Sequence, residues 1–174
     1  MFYFQDIIKE VELHPKYFGR KLTRHIEEQI QKEVEGSCSG KYGYIVVVYA
    51  FNSISQGRIR EGGGCATFTV NFKACCMRPF KNEVLQATVD VVNKVGFFCT
   101  AGPLKIFVSN YLIPEEFEFQ MAEEAAFVSS DDEVRIKIGC QVRVRVVGVR
   151  IEANDCTCVA SMKDDYLGVV AIMD

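Results

Sequence analysis

Only one stretch of this 174-residue chain spaces its apolar side chains as a helix does. Leu22, Ile26, Ile30 and Val34 recur every fourth residue, flanked by Lys21, Arg24, Glu27, Glu28 and Lys32. The stripe predicts a helix over about residues 16–35. Pro15 suits its first turn, where a missing N–H costs nothing, and Gly36 suits its C-terminal end. The flanking segments read as strand. Residues 2–13 have mixed polarity, and Tyr44–Tyr49 is a β-branched run of the kind that fills a buried strand. Ala66, Phe68, Val70, Phe72 and Ala74 alternate with Thr67, Thr69, Asn71 and Lys73, a period-two strand with one wet face. Between these last two lies a loop, 52–64, with a short strand expected at Gly57–Arg60 and three glycines at its end. Residues 1–80 are therefore expected to form an α+β unit, one helix on an antiparallel sheet.

Arg78-Pro79-Phe80 reads as a joint, and no further helical spacing follows it. Strands are expected at 83–92, from Gly96, at Leu104–Ser109, over Val134–Val149 and over Cys156–Met162. The connection 115–133 is too long for a hairpin loop and reads as a surface excursion. Five short strands with one long connection suggest an all-β barrel of the OB type over residues 81–174.

Composition narrows the function classes. With 49% hydrophobic and 25% charged residues, the chain is neither disordered nor collagenous nor a coiled coil. It holds no run of about 18 apolar residues, so no membrane-spanning helix is expected. The opening Met1-Phe2-Tyr3-Phe4-Gln5-Asp6 lacks a basic n-region and makes a poor signal peptide. With eight cysteines, that points to reduced thiols in cytosol or nucleus. The formal charge is −3, but residues 115–133 carry eight acids and no base. These are Glu115, Glu116, Glu118, Glu123, Glu124, Asp131, Asp132 and Glu133, and they leave 20 bases against 15 acids elsewhere. A nucleic-acid surface away from that block is compatible with mild overall acidity, because Coulomb attraction is local.

Catalytic chemistry finds little support. Of the two histidines, His25 falls on the helix surface, and no Ser/His/Asp or Cys/His order is evident. Gly62-Gly63-Gly64 lacks the Lys-Ser/Thr of a phosphate-cradling loop and reads as a flexible tip. Structural zinc wants paired ligands. Cys75 and Cys76 are adjacent, Cys156 and Cys158 share one face of a strand as small core residues do, and the others are single. No catalytic residue, metal or cofactor is expected. The sharper signal lies on the wet side of the barrel. Strand parity turns Leu104, Ile106 and Val108 inward and Phe107 outward with Lys105 and Ser109. Phe98 likewise goes outward, and Arg143 and Arg145 alternate with valines. Exposed rings beside cations offer a base a stacking partner and a phosphate a counter-charge. The same pattern also suits an aromatic face covered by a subdomain or a partner.

Two motif groups carry a family resemblance. Leu13-His14-Pro15-Lys16-Tyr17-Phe18-Gly19 and Val34-Glu35-Gly36-Ser37-Cys38-Ser39-Gly40-Lys41-Tyr42-Gly43-Tyr44-Ile45 form the first. Arg78-Pro79-Phe80-Lys81, Gly102-Pro103 and Ser161-Met162-Lys163-Asp164-Asp165-Tyr166-Leu167-Gly168 form the second. In this order, over nearly the whole chain, they resemble the stalk subunits of DNA-directed RNA polymerases: the seventh subunit of polymerase II and its archaeal counterpart. The Gly-Lys-Tyr-Gly-Tyr and Asp-Asp-Tyr-Leu-Gly segments favour polymerase II.

The resemblance implies an N-terminal tip domain, a C-terminal OB barrel of the S-one type, and a non-catalytic nuclear role. It implies docking on the polymerase core near the clamp through His14, Pro15, Tyr17, Phe18 and Gly19 and the loop holding Gly57, Gly62, Gly63 and Gly64. Pairing with the fourth subunit, support of initiation, and contact with emerging single-stranded RNA are implied as well. The RNA face would comprise Phe98, Phe107, Lys94, Lys105, Arg143 and Arg145. Three positions depart from the S-one pattern: Val95 replaces an aromatic, Thr157 a basic residue, and Asn82 a glycine. The equivalent subunit of another polymerase class and a free-standing RNA-binding protein of translation remain alternatives.

Overall fold

The computed structural model describes residues 1–59, 62–121, 125–131, 134–152 and 155–170. The chain divides into two compact units, Met1–Arg78 and Pro79–Asp174.

In the first unit, β1 (Phe2–Leu13) is followed by a 3-10 turn at Pro15–Tyr17 and by α1 (Leu22–Val34). Then come β2 (Cys38–Ser39), β3 (Gly43–Ile54), β4 (Arg58–Ile59) and β5 (Ala66–Met77). The sheet runs β1-β5-β3-β2, with β4 paired to β5, and all pairings are antiparallel. Its period-two strands present alternate residues to the helix. Ile26, Ile30 and Val34 pack on Ile7, Val11 and Leu13 of β1, Ile45 and Val48 of β3, and Phe68, Val70 and Phe72 of β5. The helix starts later than its expected residue 16, for a local reason. Phe18 is extended (φ −73°, ψ 122°) and ends the 3-10 turn, so the α-helical ladder begins only after Gly19. Glu35, just past the helix, turns its Oε1 to accept the Val48 N–H at 2.9 Å. That carboxylate satisfies a backbone donor between two irregularities in the β3–β5 register. Arg60, the expected end of the short strand, lies outside the described residues.

In the second unit, β6 (Val84–Asn93), β7 (Gly96–Ala101) and β8 (Leu104–Ser109) form an antiparallel meander. Next come β9 (Phe117–Met121), β10 (Ala125–Ser129), β11 (Arg135–Ile136), β12 (Gln141–Ile151), β13 (Cys156–Ser161) and β14 (Gly168–Val169). β12 pairs with β6 through residues 141–145 and with β13 through 145–151, changing neighbours at a bulge between Val146 and Gly148. β13 runs parallel to β8, which closes a five-stranded barrel in the order β6-β7-β8-β13-β12. Phe97, Leu104, Ile106, Val108, Val142, Val144 and Val146 fill it. At Gly96 (φ +148°) a Cβ would collide with the Val108 carbonyl, so β7 and β8 approach as closely as they do only with glycine there. Asn82 is left-handed (φ +69°), which is why its position suits the glycine of the S-one pattern and why asparagine is an acceptable substitute.

The segment expected as a surface excursion, because it is too long for a hairpin loop, contains a small sheet of its own. β9 and β10 form a hairpin, and β11 joins β10 in a separate three-stranded sheet. Phe117, Phe119 and Met121 alternate with Glu118 and Gln120, so a period-two pattern lies beneath the acids. Phe119 meets Phe127 across the pair at 5.5 Å, and Phe127, Val128 and Ile136 are buried. Glu123, Glu124, Asp132 and Glu133 lie outside the described residues. The expected single strand over 134–149 is instead two, separated by a turn at Gly139 (φ +87°).

Candidate nucleic-acid interface

Strand register on the barrel wall assembles two parallel rows from residues far apart in the chain. Val91 pairs with Phe98, Phe98 with Phe107, Phe107 with Val159, and Val159 with Gly148. That is an apolar row crossing five strands. The second row lies beside it. Thr100 pairs with Lys105, Lys105 with Thr157, and Thr157 with Arg150. The first row supplies rings, the second cations and hydroxyls.

The rings of Phe98 and Phe107 sit 4.8 Å apart at 39°, a tilted pair typical of aromatic contacts. Phe98 is 45% exposed and Phe107 is half-buried, so the pair is not absorbed into the unit's own interior. Gly148 puts no side chain opposite Val159, and a Cβ there would meet nothing within 4 Å. An open hollow of about 540 Å³ results, floored by Phe98, Phe107 and Val159 and flanked by Lys105, Arg150 and Thr157. Thr157, where the S-one pattern has a basic residue, is bracketed by cations from both neighbouring strands. Few polar groups line the hollow. The Thr157 hydroxyl donates to the Arg150 carbonyl at 3.4 Å. The Lys105 ammonium is 3.1 Å from Asp155, and the Arg150 Nε is 2.8 Å from Glu152.

The expected RNA-face residues are distributed unevenly. Phe98, Phe107 and Lys105 converge on the hollow. Lys94 is exposed on the β6–β7 turn. Arg143 and Arg145 lie on the first half of β12 and turn to the segment after β13. The Arg145 guanidinium pairs with Asp164 at 3.0 Å, and Arg143 Nη1 donates to the Tyr166 carbonyl at 3.5 Å. Arg150 was missed because the bulge at Val146/Gly148 breaks the period-two count that singled out Arg143 and Arg145. Counted back from Cys156 and Cys158, whose partners across β13 are Ile151 and Val149, its outward position is recoverable.

The expected docking residues gather at one end of the first unit. His14 Nδ1 accepts the Lys16 N–H at 3.3 Å and caps the Pro15–Tyr17 turn. Lys16 lies 4.7 Å over the Tyr17 ring, and that ring is 5.2 Å from His25. Tyr17 and Phe18 are 38% and 41% exposed. A Cβ on Gly64 would lie 3.6 Å from Pro15 Cγ, so Gly64 lies against the Pro15 turn, whereas Gly62 and Gly63 face open space. Gly57 has a packing role too, since a Cβ there would stand 2.7 Å from the Phe68 ring.

Five of the eight cysteines, Cys38, Cys76, Cys99, Cys156 and Cys158, are buried, and Cys65, Cys75 and Cys140 are partly exposed. Burial pushes Cys99 up to about 12 and Cys76 and Cys158 up to about 11, which keeps them protonated and poor as nucleophiles or metal ligands at neutral pH. Among the described residues, no group of three or more His, Cys, Asp or Glu is placed to hold a metal ion.

Comparison with known proteins matches both units. Residues 8–64 fit the family model described as the SHS2 domain found in the N terminus of Rpb7p/Rpc25p/MJ0397, and residues 78–156 fit the S1 RNA binding domain. Over 170 residues the chain is 43% identical to DNA-directed RNA polymerase II subunit RPB7 of Glycine max, covering 98% of this chain and 97% of that one. The chain belongs to the RNA polymerase II subunit 7 family. DNA-directed RNA polymerase II subunit 7 of Arabidopsis thaliana is 42% identical over 170 residues, 98% of this chain and 97% of its own length. Identity to the polymerase V subunit 7 of the same plant is lower, 31% over 153 residues, covering 86% of this chain and 85% of that one. The S1 match includes Phe98, Lys105, Phe107, Gly148 and Arg150 of the hollow and ends just before Thr157 and Val159.

Proposed function

We propose that the chain is a non-catalytic stalk subunit of a nuclear RNA polymerase II that holds emerging single-stranded RNA across its barrel. It pairs with the fourth subunit and docks on the core near the clamp to support initiation. The supporting observation for RNA is the double row: an exposed and a half-buried ring running through Val159 to a glycine gap, with Lys105 and Arg150 both in the row alongside. A base stacks on the rings while its phosphate meets Lys105 or Arg150, an arrangement worth about 1–3 kcal/mol per base. The hollow aims few polar groups at a base edge, so the contact tolerates sequence, as stacking does for any base. Lys94, Arg143 and Arg145 extend the positive surface without touching the hollow. Docking through His14–Gly19 and the Gly57 and Gly62–Gly64 loop is supported by the approach of Gly64 to the Pro15 turn and by the exposure of Tyr17 and Phe18 beside it.

The test is single-stranded RNA binding by the full chain with its fourth-subunit partner. Changing Phe98 and Phe107 together to Ala weakens binding and leaves subunit pairing intact. Unchanged RNA affinity refutes the platform.

A further inference from the structure

We infer that Glu152 and Asp155 form a carboxylate latch on the hollow, competing with RNA phosphates for Arg150 and Lys105 and thereby setting how strongly the barrel grips a transcript. The inference rests on the RNA reading of the hollow.

The geometry is specific. Arg150 leaves β12 and Lys105 leaves β8, yet both cations are met by acids from the single connection between β12 and β13. Arg150 Nε is 2.8 Å from Glu152 Oε1, and Lys105 Nζ is 3.1 Å from Asp155 Oδ1. The Glu152 N–H donates to the Asp155 carbonyl at 2.9 Å, which holds the two acids in one turn at the rim. Two positive charges are thus matched by two negative ones beside the rings. A phosphate entering the hollow meets a neutral rim, and it gains a cation only by displacing a carboxylate. All four side chains are more than half exposed, between 56% and 80%. Solvated pairs of this kind break at little cost, so the acids swing aside without unfolding the barrel. The latch therefore lowers affinity without closing the site. It also suppresses the salt dependence that two free cations would impose, since each displaced carboxylate takes back a small cation of the kind that the neutralised phosphate releases.

The experiment compares binding of a fluorophore-labelled oligouridylate across a salt series, using the full chain with its fourth-subunit partner. The variants are Glu152→Gln with Asp155→Asn, which keep shape and remove charge. Glu118→Gln on β9 is the control for net charge, and Phe98→Ala with Phe107→Ala tests the rings. The latch predicts roughly three-fold tighter binding per neutralised acid, about ten-fold for both, from one unit charge a few ångströms from a phosphate in a solvated site. It predicts a log–log salt slope steeper by about 1.4, from about 0.7 for each freed cation on a single strand. Glu118→Gln leaves both quantities unchanged. If the rings prove necessary but the Glu152/Asp155 variant matches wild type in affinity and slope, the latch is overturned and the RNA reading stands. If Glu118→Gln tightens binding as much, the effect is bulk charge and the latch is likewise overturned. If losing both rings changes nothing, RNA does not use the hollow, and both readings fall.

Discussion

Gly148 offers a perturbation in which binding and stability move in opposite directions. The glycine faces outward across from Val159, with open space where a Cβ would stand and no left-handed backbone to relieve. A leucine there stands in the apolar row next to Val159, one strand removed from Phe107, and fills the end of the hollow that a stacked base would enter. Losing one base–ring stack costs about 1–3 kcal/mol, a loss in RNA affinity of roughly 5- to 150-fold. The fold gains instead. Glycine within a strand costs about 0.5–1 kcal/mol relative to alanine, so Gly148→Leu raises the barrel's melting temperature by roughly 2–8 °C. The assay is a fluorescence-anisotropy titration with single-stranded RNA alongside a thermal melt of the same preparation. Weaker binding with a higher melting point is the expected pair. Undiminished affinity with a raised melting point would refute the placement of RNA in the hollow, because a misfolded barrel could not explain it.

Further outcomes follow from the same geometry. Ile30→Ala empties a fully buried position under the first sheet and destabilises that unit by about 2–5 kcal/mol, measured by chemical denaturation. Gly96→Ala drives a methyl into the Val108 carbonyl and lowers barrel stability by more than about 1 kcal/mol, read as a drop in denaturation midpoint. Phe18→Ser removes an exposed ring and loses association with the polymerase core while keeping the fourth-subunit partner, scored by co-purification; normal assembly counts against the docking role. Burial holds Cys99 and Cys158 at about 12 and about 11, above the ordinary 9.0. Their raised values make stability full below about pH 9 and progressively lost as pH climbs through the folded values, because the unfolded thiols ionise first. A stability profile flat from about pH 9 to about pH 11 would contradict that.

How far the sequence was legible depended on whether periodicity stayed unbroken. Ala66–Ala74 alternates without interruption, and the structure extends it as β5 to Met77 with the same face inward. Phe107 and Phe98 were placed outward by counting two residues at a time along short, regular strands, and their register puts them directly opposite one another. Arg150 escaped that count, because one extra residue at the β12 bulge reverses every side chain beyond it. The β9–β10 hairpin escaped for another reason. The length of 115–133 argued against a hairpin loop, whereas the segment supplies both strands of the hairpin itself, with Phe119 opposite Phe127. The helix start shifted because a proline that can open a helix can equally open a 3-10 turn, and only the extended Phe18 decides between them. The adjacency of Gly64 and Pro15 is set by long-range pairing of β1 with β5, which no local pattern encodes.

The parallel seam between β8 and β13 has a consequence for the order in which the molecule comes into being. Phe98 and Phe107 are joined early, by a tight turn, but the wall they belong to stays open until Val159 has been synthesised and slotted between Phe107 and Gly148. A growing polypeptide therefore shows two greasy rings on an unfinished rim for about fifty residues of translation. Its capacity to grip a nucleotide arrives in one late stroke, with the strand that zips the cylinder shut.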